Sequence, residues 1–211
     1  MKFDKKNLIL YVIVHKANEE SFLKDIEDII LGGATMIQLR EKDMCEDDFL
    51  KEAINLKKLC EKHGVPLIIN DNINVCIKSG ADGIHLGQND LSIKEARKIL
   101  GNDKTIGATA KTVLQAKKAQ ADGADYIGSG AVFASETKKD AVSLSLEKLE
   151  EIARSVSIPI VAIGGINENN ILNLKATKIC GVALSNTILS SDNKKKITKK
   201  LYNLSKEVIK E

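Results

Sequence analysis

The run Gln38-Leu39-Arg40-Glu41-Lys42 closes a short apolar segment, and strand alternation would set Gln38 and Arg40 on one side of it. A guanidinium offers a planar fork to phosphate oxygens and an ammonium adds a point charge, so Arg40 and Lys42 together could grip a polyphosphate. Alone, the same run reads as a solvated charge cluster. Two further apolar segments end in Asn70-Asp71 and in His85-Leu86-Gly87-Gln88-Asn89-Asp90. Taken singly, Asp71 is a turn residue and Asp90 a helix cap. Taken together and opposite the basic run, they offer hard oxygen ligands and leave other positions to water and substrate phosphate, the arrangement Mg2+ prefers.

Three later stretches extend the polar set. The long stretch 130–145 (GAVFASETKKDAVSLS) carries hydroxyls and the pair Lys138-Lys139, which could close over a diphosphate; its plain alternative is a surface loop. Gly164-Gly165-Ile166-Asn167 and Ser185-Asn186 end two more apolar runs, where backbone N–H groups could hold a phosphate monoester without a charged side chain.

Such residues need a scaffold that brings strand ends together. Apolar, β-branched runs at 8–14, 35–40, 66–70, 83–86, 105–108, 126–129, 159–163 and 181–184 alternate with segments of helical period, eight of each. The runs are nearly free of charge, as parallel strands covered on both faces must be. Segment 46–63, with Phe49, Leu50, Ala53, Leu56, Leu59 and Cys60 at three-to-four spacing, shows one apolar helix face. Gly32, Gly33, Gly80 and Gly123 read as left-handed helix ends; Asp90 or Ser92, and Asn167, read as helix starts. Eight units in 211 residues, with no Gly-x-Gly-x-x-Gly after the first strand, predict one closed (β/α)8 TIM barrel over 1–211. In such barrels chemistry gathers where the strands end.

Composition narrows the partners. A net charge of +3, three Tyr, four Phe and no Trp leave few platforms for stacking nucleic-acid bases, so nucleic acid is not expected. No apolar run approaches the roughly 18 residues a membrane span needs. Cys45, Cys60, Cys76 and Cys180 lack zinc spacing and read as free thiols. With no cleavable leader apparent at the N-terminus, a cytoplasmic location is expected. The oligomeric state stays open, a homo-oligomer included.

In order, QLREK, ND, HLGQND, GATAKT, FASETKKDA and AIGGIN resemble the motif series of the thiamine phosphate synthase family, from the second strand to the seventh. QLREK and HLGQ-x-D are particular to that family, whereas the Gly-Gly turn is shared by many barrels. The resemblance implies that Gln38, Arg40, Lys42 and Asn70 contact an aminopyrimidine diphosphate, that Asp71 and Asp90 bind Mg2+, and that Thr109 lies near the diphosphate. It further implies thiazole phosphate contacts at Ser135 and Thr137, a diphosphate lysine at Lys138, and a thiazole phosphate cradle at Gly165, Ser185 and Asn186. Five positions depart from the commoner pattern: His15 stands for Asp, Ala131 and Ala134 for prolines, Lys111 for His and Asn186 for Ser.

The expected reaction is an alkyl transfer between two small molecules. The pyrimidine methylene loses diphosphate and is captured by the thiazole nitrogen, with Arg40, Lys42, Thr109 and Lys138 serving the departing anion. Two rivals are a thiazole tautomerase, which would need a general base and no acidic metal pair, and a non-catalytic barrel that binds a phosphate ligand.

Overall fold

The eight apolar runs form eight parallel strands of four or five residues: β1 (Leu10–Val14), β2 (Met36–Leu39), β3 (Leu67–Asn70), β4 (Gly83–Leu86), β5 (Thr105–Thr109), β6 (Tyr126–Gly130), β7 (Ile160–Ile163) and β8 (Gly181–Leu184). Each pairs with the next, and β1 pairs with β8, with Leu10 opposite Val182, to close the barrel. This computed structural model describes residues 3–16, 21–133 and 144–210.

Alternation along the strands divides the core. Leu10, Val12, Ile37, Leu39, Leu67, Ile69, Ile84, Ile106, Ile127, Ile160 and Val182 pack against the helices, while Tyr11, Met36, Ile68, Tyr126, Val161 and Ala183 fill the barrel. Both faces are therefore dry, which is why the strands read as unbroken apolar runs. Gly107 makes room inside: a Cβ there would lie 2.1 Å from Cζ of Tyr126. Gly107→Ala is expected to cost about 1–3 kcal/mol of stability through overpacking, measured by urea unfolding. An unchanged midpoint would mean that the Tyr126 ring moves aside freely.

Around the barrel run α1 (Phe22–Gly32), α2 (Glu46–His63), α3 (Ile73–Lys78), α4 (Ile93–Leu100), α5 (Val113–Ala121), α6 (Leu146–Arg154), a short α7 (Asn186–Leu189) and α8 (Lys194–Val208). In α2, Phe49, Ala53, Leu56 and Cys60 are buried, as the periodicity predicts. Asn72, Ser92, Thr112 and Ser145 cap their helices by accepting from backbone N–H groups one turn on. Ser92, not Asp90, is the cap of α4.

Two expectations need correction. The segment after β7 does not form a helix from Asn167; it holds turns and a single 3-10 turn, Ile171–Leu174. There Asn167 Oδ1 accepts from the Asn169 N–H and Asn170 Oδ1 from the Asn167 N–H, bonds that compete with helical ones. Gly32 is not a left-handed helix end either. That conformation belongs to Gly33 (φ 110°), whereas Gly32 lies where a Cβ would come 2.7 Å from Lys195 O and the Thr198 Cβ, letting α1 approach α8. Among the described residues no helix is long and apolar enough to cross a membrane.

Candidate active site

Five side chains form a hydrogen-bonded chain inside the barrel. Gln38 Nε2 on β2 donates to the Tyr11 hydroxyl on β1. The Tyr11 and Tyr126 hydroxyls lie 2.9 Å apart, Tyr126 Oη lies 3.1 Å from His85 Nδ1 on β4, and His85 Nε2 lies 3.0 Å from Thr109 Oγ1 at the end of β5. Phe3 stacks on the Tyr126 ring, with centroids 5.8 Å apart. Gly128 leaves room for the imidazole, since a Cβ there would lie 3.2 Å from its Cε1. Burial lowers the His85 pKa to about 4, against the opposing pull of Asp90, so the ring is neutral near pH 7.

The two carboxylates of the sequence reading do meet. Asp71 follows β3 in a left-handed conformation (φ 62°), and its N–H donates to His85 O at 2.9 Å. Asp90 Oδ2 accepts the Gly87 N–H at 2.6 Å. The Asp71 pKa is raised to about 6, first by burial and then by a hydrogen bond to Asp90 and its like charge; an Asn70 hydrogen bond and the Arg40 charge pull the other way. Asn70, Asp71, Asp90 and Arg40 thus converge at the ends of β2, β3 and β4. Among the described residues no group of three or more His, Cys, Asp or Glu could hold a metal by itself.

Arg40 is half-buried and its N–H donates to Val14 O at 2.9 Å, continuing the β1–β2 ladder past its formal end; Lys42 is exposed. Between them Glu41 turns away, accepting the Lys16 N–H at 2.6 Å, while the Lys16 ammonium reaches the buried Glu52 at 2.7 Å. These bonds tie the segment after β1 to that after β2. Desolvation raises the Glu41 pKa, with the Lys16 N–H opposing it.

Across the mouth, Gly164 (φ 96°) and Gly165 (φ 67°) turn the chain after β7. A Cβ on Gly164 would sit 2.5 Å from that of Ala131, and Phe133 N donates to Gly164 O at 3.1 Å, so the β6 and β7 ends are in close contact. Asn170 Nδ2 donates to Gly165 O at 2.9 Å, and Thr187 Oγ1 to Ile166 O at 2.7 Å, which joins this turn to the start of α7, where Ser185 and the exposed Asn186 lie. Ser135, Thr137 and Lys138, like Ala134, lie outside the described residues. His15 and Lys111 are exposed, with the Lys111 N–H donating to Gln115 Oε1 at 2.8 Å.

Sequence reasoning gave no role to Tyr11, Tyr126 or His85. The signal was parity. Tyr11 stands two residues before Ile13, His85 follows Gly83 by two, and Tyr126 precedes Gly128 by two, all on inward positions of their strands. In a chain with three Tyr, two within strands mark an interior with polar business.

A closed parallel barrel whose polar residues gather where the strands end defines a (β/α)8-barrel enzyme. More narrowly, the chain belongs to the thiamine monophosphate synthase family, whose model matches residues 10–188. Its thiamine-phosphate synthase relatives are transferases, and the chain is an enzyme of that class. A thiamine-phosphate synthase of Clostridium tetani is 49% identical over 178 residues, covering 84% of this chain and 85% of that protein. One of Ruminiclostridium cellulolyticum is 46% identical, covering 92% and 94%. The solved thiamine phosphate pyrophosphorylase of Pyrococcus furiosus superposes with a TM-score of 0.89 at 32% identity, covering 98% of this chain and 99% of that one. A 3-hexulose-6-phosphate synthase, at 14% identity and a TM-score of 0.71, shares the fold alone.

Proposed function

We propose that the chain joins 4-amino-2-methyl-5-hydroxymethylpyrimidine diphosphate to 4-methyl-5-(2-phosphooxyethyl)thiazole, releasing diphosphate and giving thiamine phosphate. The observation that carries this reading is the meeting of Asp71 and Asp90 beside Arg40 at neighbouring strand ends. Two carboxylates that press together with one guanidinium nearby retain net negative charge and suit a small hard cation, and the donor set fits Mg2+ completed by water and substrate oxygens. Held there, Mg2+ would supply positive charge to the departing diphosphate.

The chain's own residues do the rest. Arg40 and Lys42 receive the diphosphate, with Lys138 as a further cation, and Thr109 meets an oxygen near the breaking bond. Gln38 and Asn70 orient the pyrimidine. Ser135 and Thr137 contact the thiazole phosphate, whose anion rests on backbone groups at Gly165, Ser185 and Asn186. The cations assigned to the departing diphosphate favour its departure before capture by the thiazole nitrogen, because they stabilise charge on the leaving group.

Turnover with both substrates, followed by release of diphosphate and of thiamine phosphate, tests the reading. It should be strictly Mg2+-dependent. Isomerisation of a thiazole without metal would establish the tautomerase instead, and binding of phosphate ligands without turnover would establish a non-catalytic barrel.

The phosphate cradle makes a separate prediction. Gly165 adopts φ 67°, a conformation that a β-branched residue resists, and its backbone is proposed to lie against the anion. Gly165→Val should raise KM for the thiazole phosphate about 100-fold or more, corresponding to about 2.7 kcal/mol. Asn186→Ala, which removes only an exposed side chain, should change it less than about threefold. Equal damage from both would overturn a backbone cradle.

A further inference from the structure

We propose that Tyr11, Tyr126 and His85 are positioning residues that fix the direction of one hydrogen-bond chain across the barrel, so that Gln38 presents an acceptor and Thr109 a donor to the substrate. The proposal rests on the functional reading above for the identity of that substrate. Its geometry stands independently.

The direction follows from counting hydrogens. The Gln38 amide nitrogen can only donate, and it donates to Tyr11 Oη. The Tyr11 phenol has a single hydrogen of its own, and among the described residues its hydroxyl meets Gln38 and Tyr126. If Tyr126 donated to Tyr11, the Tyr11 hydrogen would be buried without an acceptor, a cost that native interiors avoid. Tyr11 therefore donates to Tyr126. Tyr126 in turn donates to His85 Nδ1 at 3.1 Å, which leaves the neutral imidazole with its hydrogen on Nε2. That N–H donates to Thr109 Oγ1 at 3.0 Å. Thr109 has then accepted from below, and its own O–H is free to point into the barrel mouth.

The two ends thus acquire opposite character. Gln38, having committed its amide nitrogen to Tyr11, has a carbonyl oxygen to offer to an exocyclic amine. Thr109 offers an O–H to an anionic oxygen, where a reversed chain would offer a lone pair. Tyr11 and Tyr126 are 1% and 0% exposed, so neither can exchange its partner for bulk water. Their contact with substrate is indirect, through Gln38 at one end and through His85 and Thr109 at the other.

The test is direct. In 15N-labelled protein near neutral pH, nitrogen chemical shifts separate a protonated from a bare imidazole nitrogen, and His15→Gln and His63→Gln assign the remaining ring. Nε2–H with bare Nδ1 is expected for His85. The opposite tautomer, or a doubly protonated ring, would overturn the chain's direction whether or not the protein turns over. Tyr126→Phe should release the tautomer preference in the same spectra. It should also lower kcat about tenfold or more, the order found when an outer hydrogen-bond partner is removed, with KM for the thiazole phosphate unchanged. Thr109→Ser should retain most of kcat and Thr109→Val should lose it. An unchanged kcat in Tyr126→Phe, in a wild-type background that turns over, would refute the positioning role.

Discussion

Asp71→Asn and Asp90→Asn should each lower kcat about 100-fold or more at a fixed Mg2+ concentration and shift half-saturation by Mg2+ upward, because each removes one of the two anionic donors proposed for the cation. The choice of asparagine matters. At φ 62°, Asp71 occupies a conformation that asparagine tolerates and alanine resists, so Asp71→Asn separates loss of charge from backbone strain. At position 90 the amide oxygen can still accept the Gly87 N–H that Asp90 now accepts at 2.6 Å, which preserves the turn. Both variants should unfold in urea near the wild-type midpoint. Mg2+ titrations of initial rate supply the measurement, and an unaltered Mg2+ dependence in both variants would remove these residues from the metal site.

The second large effect concerns the order of bond making. If diphosphate leaves before the thiazole nitrogen bonds, positive charge builds on the pyrimidine methylene, and the amino group on the ring stabilises it. An electron-withdrawing group in place of the ring methyl should then slow single-turnover chemistry by orders of magnitude, each tenfold being about 1.4 kcal/mol of barrier. A group of similar size without electronic pull should have little effect. The roles proposed for Arg40 and Lys42, as cations that receive the departing anion, agree with this order. A rate indifferent to such substitution, measured where chemistry limits, would establish direct displacement and reduce those cations to holding the substrate.

Strand positions were legible because every strand lies between two dry layers, and each reading falls within two residues of the observed ends. Gln38, Arg40, Asn70, Asp71 and Asp90 were legible for a related reason: a polar residue that ends an apolar run in a barrel has one place to go. The stretch 167–174 misled because ENNILNL carries helical spacing, while its asparagines satisfy the backbone locally and hold it in turns. The inner chain of Tyr11, Tyr126 and His85 was missed because tyrosine in a strand is ordinary core composition. Its connection across the barrel emerges only once Gly107 and Gly128, on different strands, are seen to clear space for two particular rings.

Closing the ring through β1 and β8 also has a consequence for synthesis on the ribosome. Leu10 waits for Val182, and until that late partner emerges the growing sheet keeps two bare edges, each able to recruit a strand from a neighbouring chain. Reinforcement comes late too, since the Ser205 hydroxyl donates to Ile9 O across a separation of 196 positions. A chain interrupted before Gly181 is therefore expected to be an aggregation hazard rather than a partly working enzyme, because its open sheet stays unpaired until the last strand arrives.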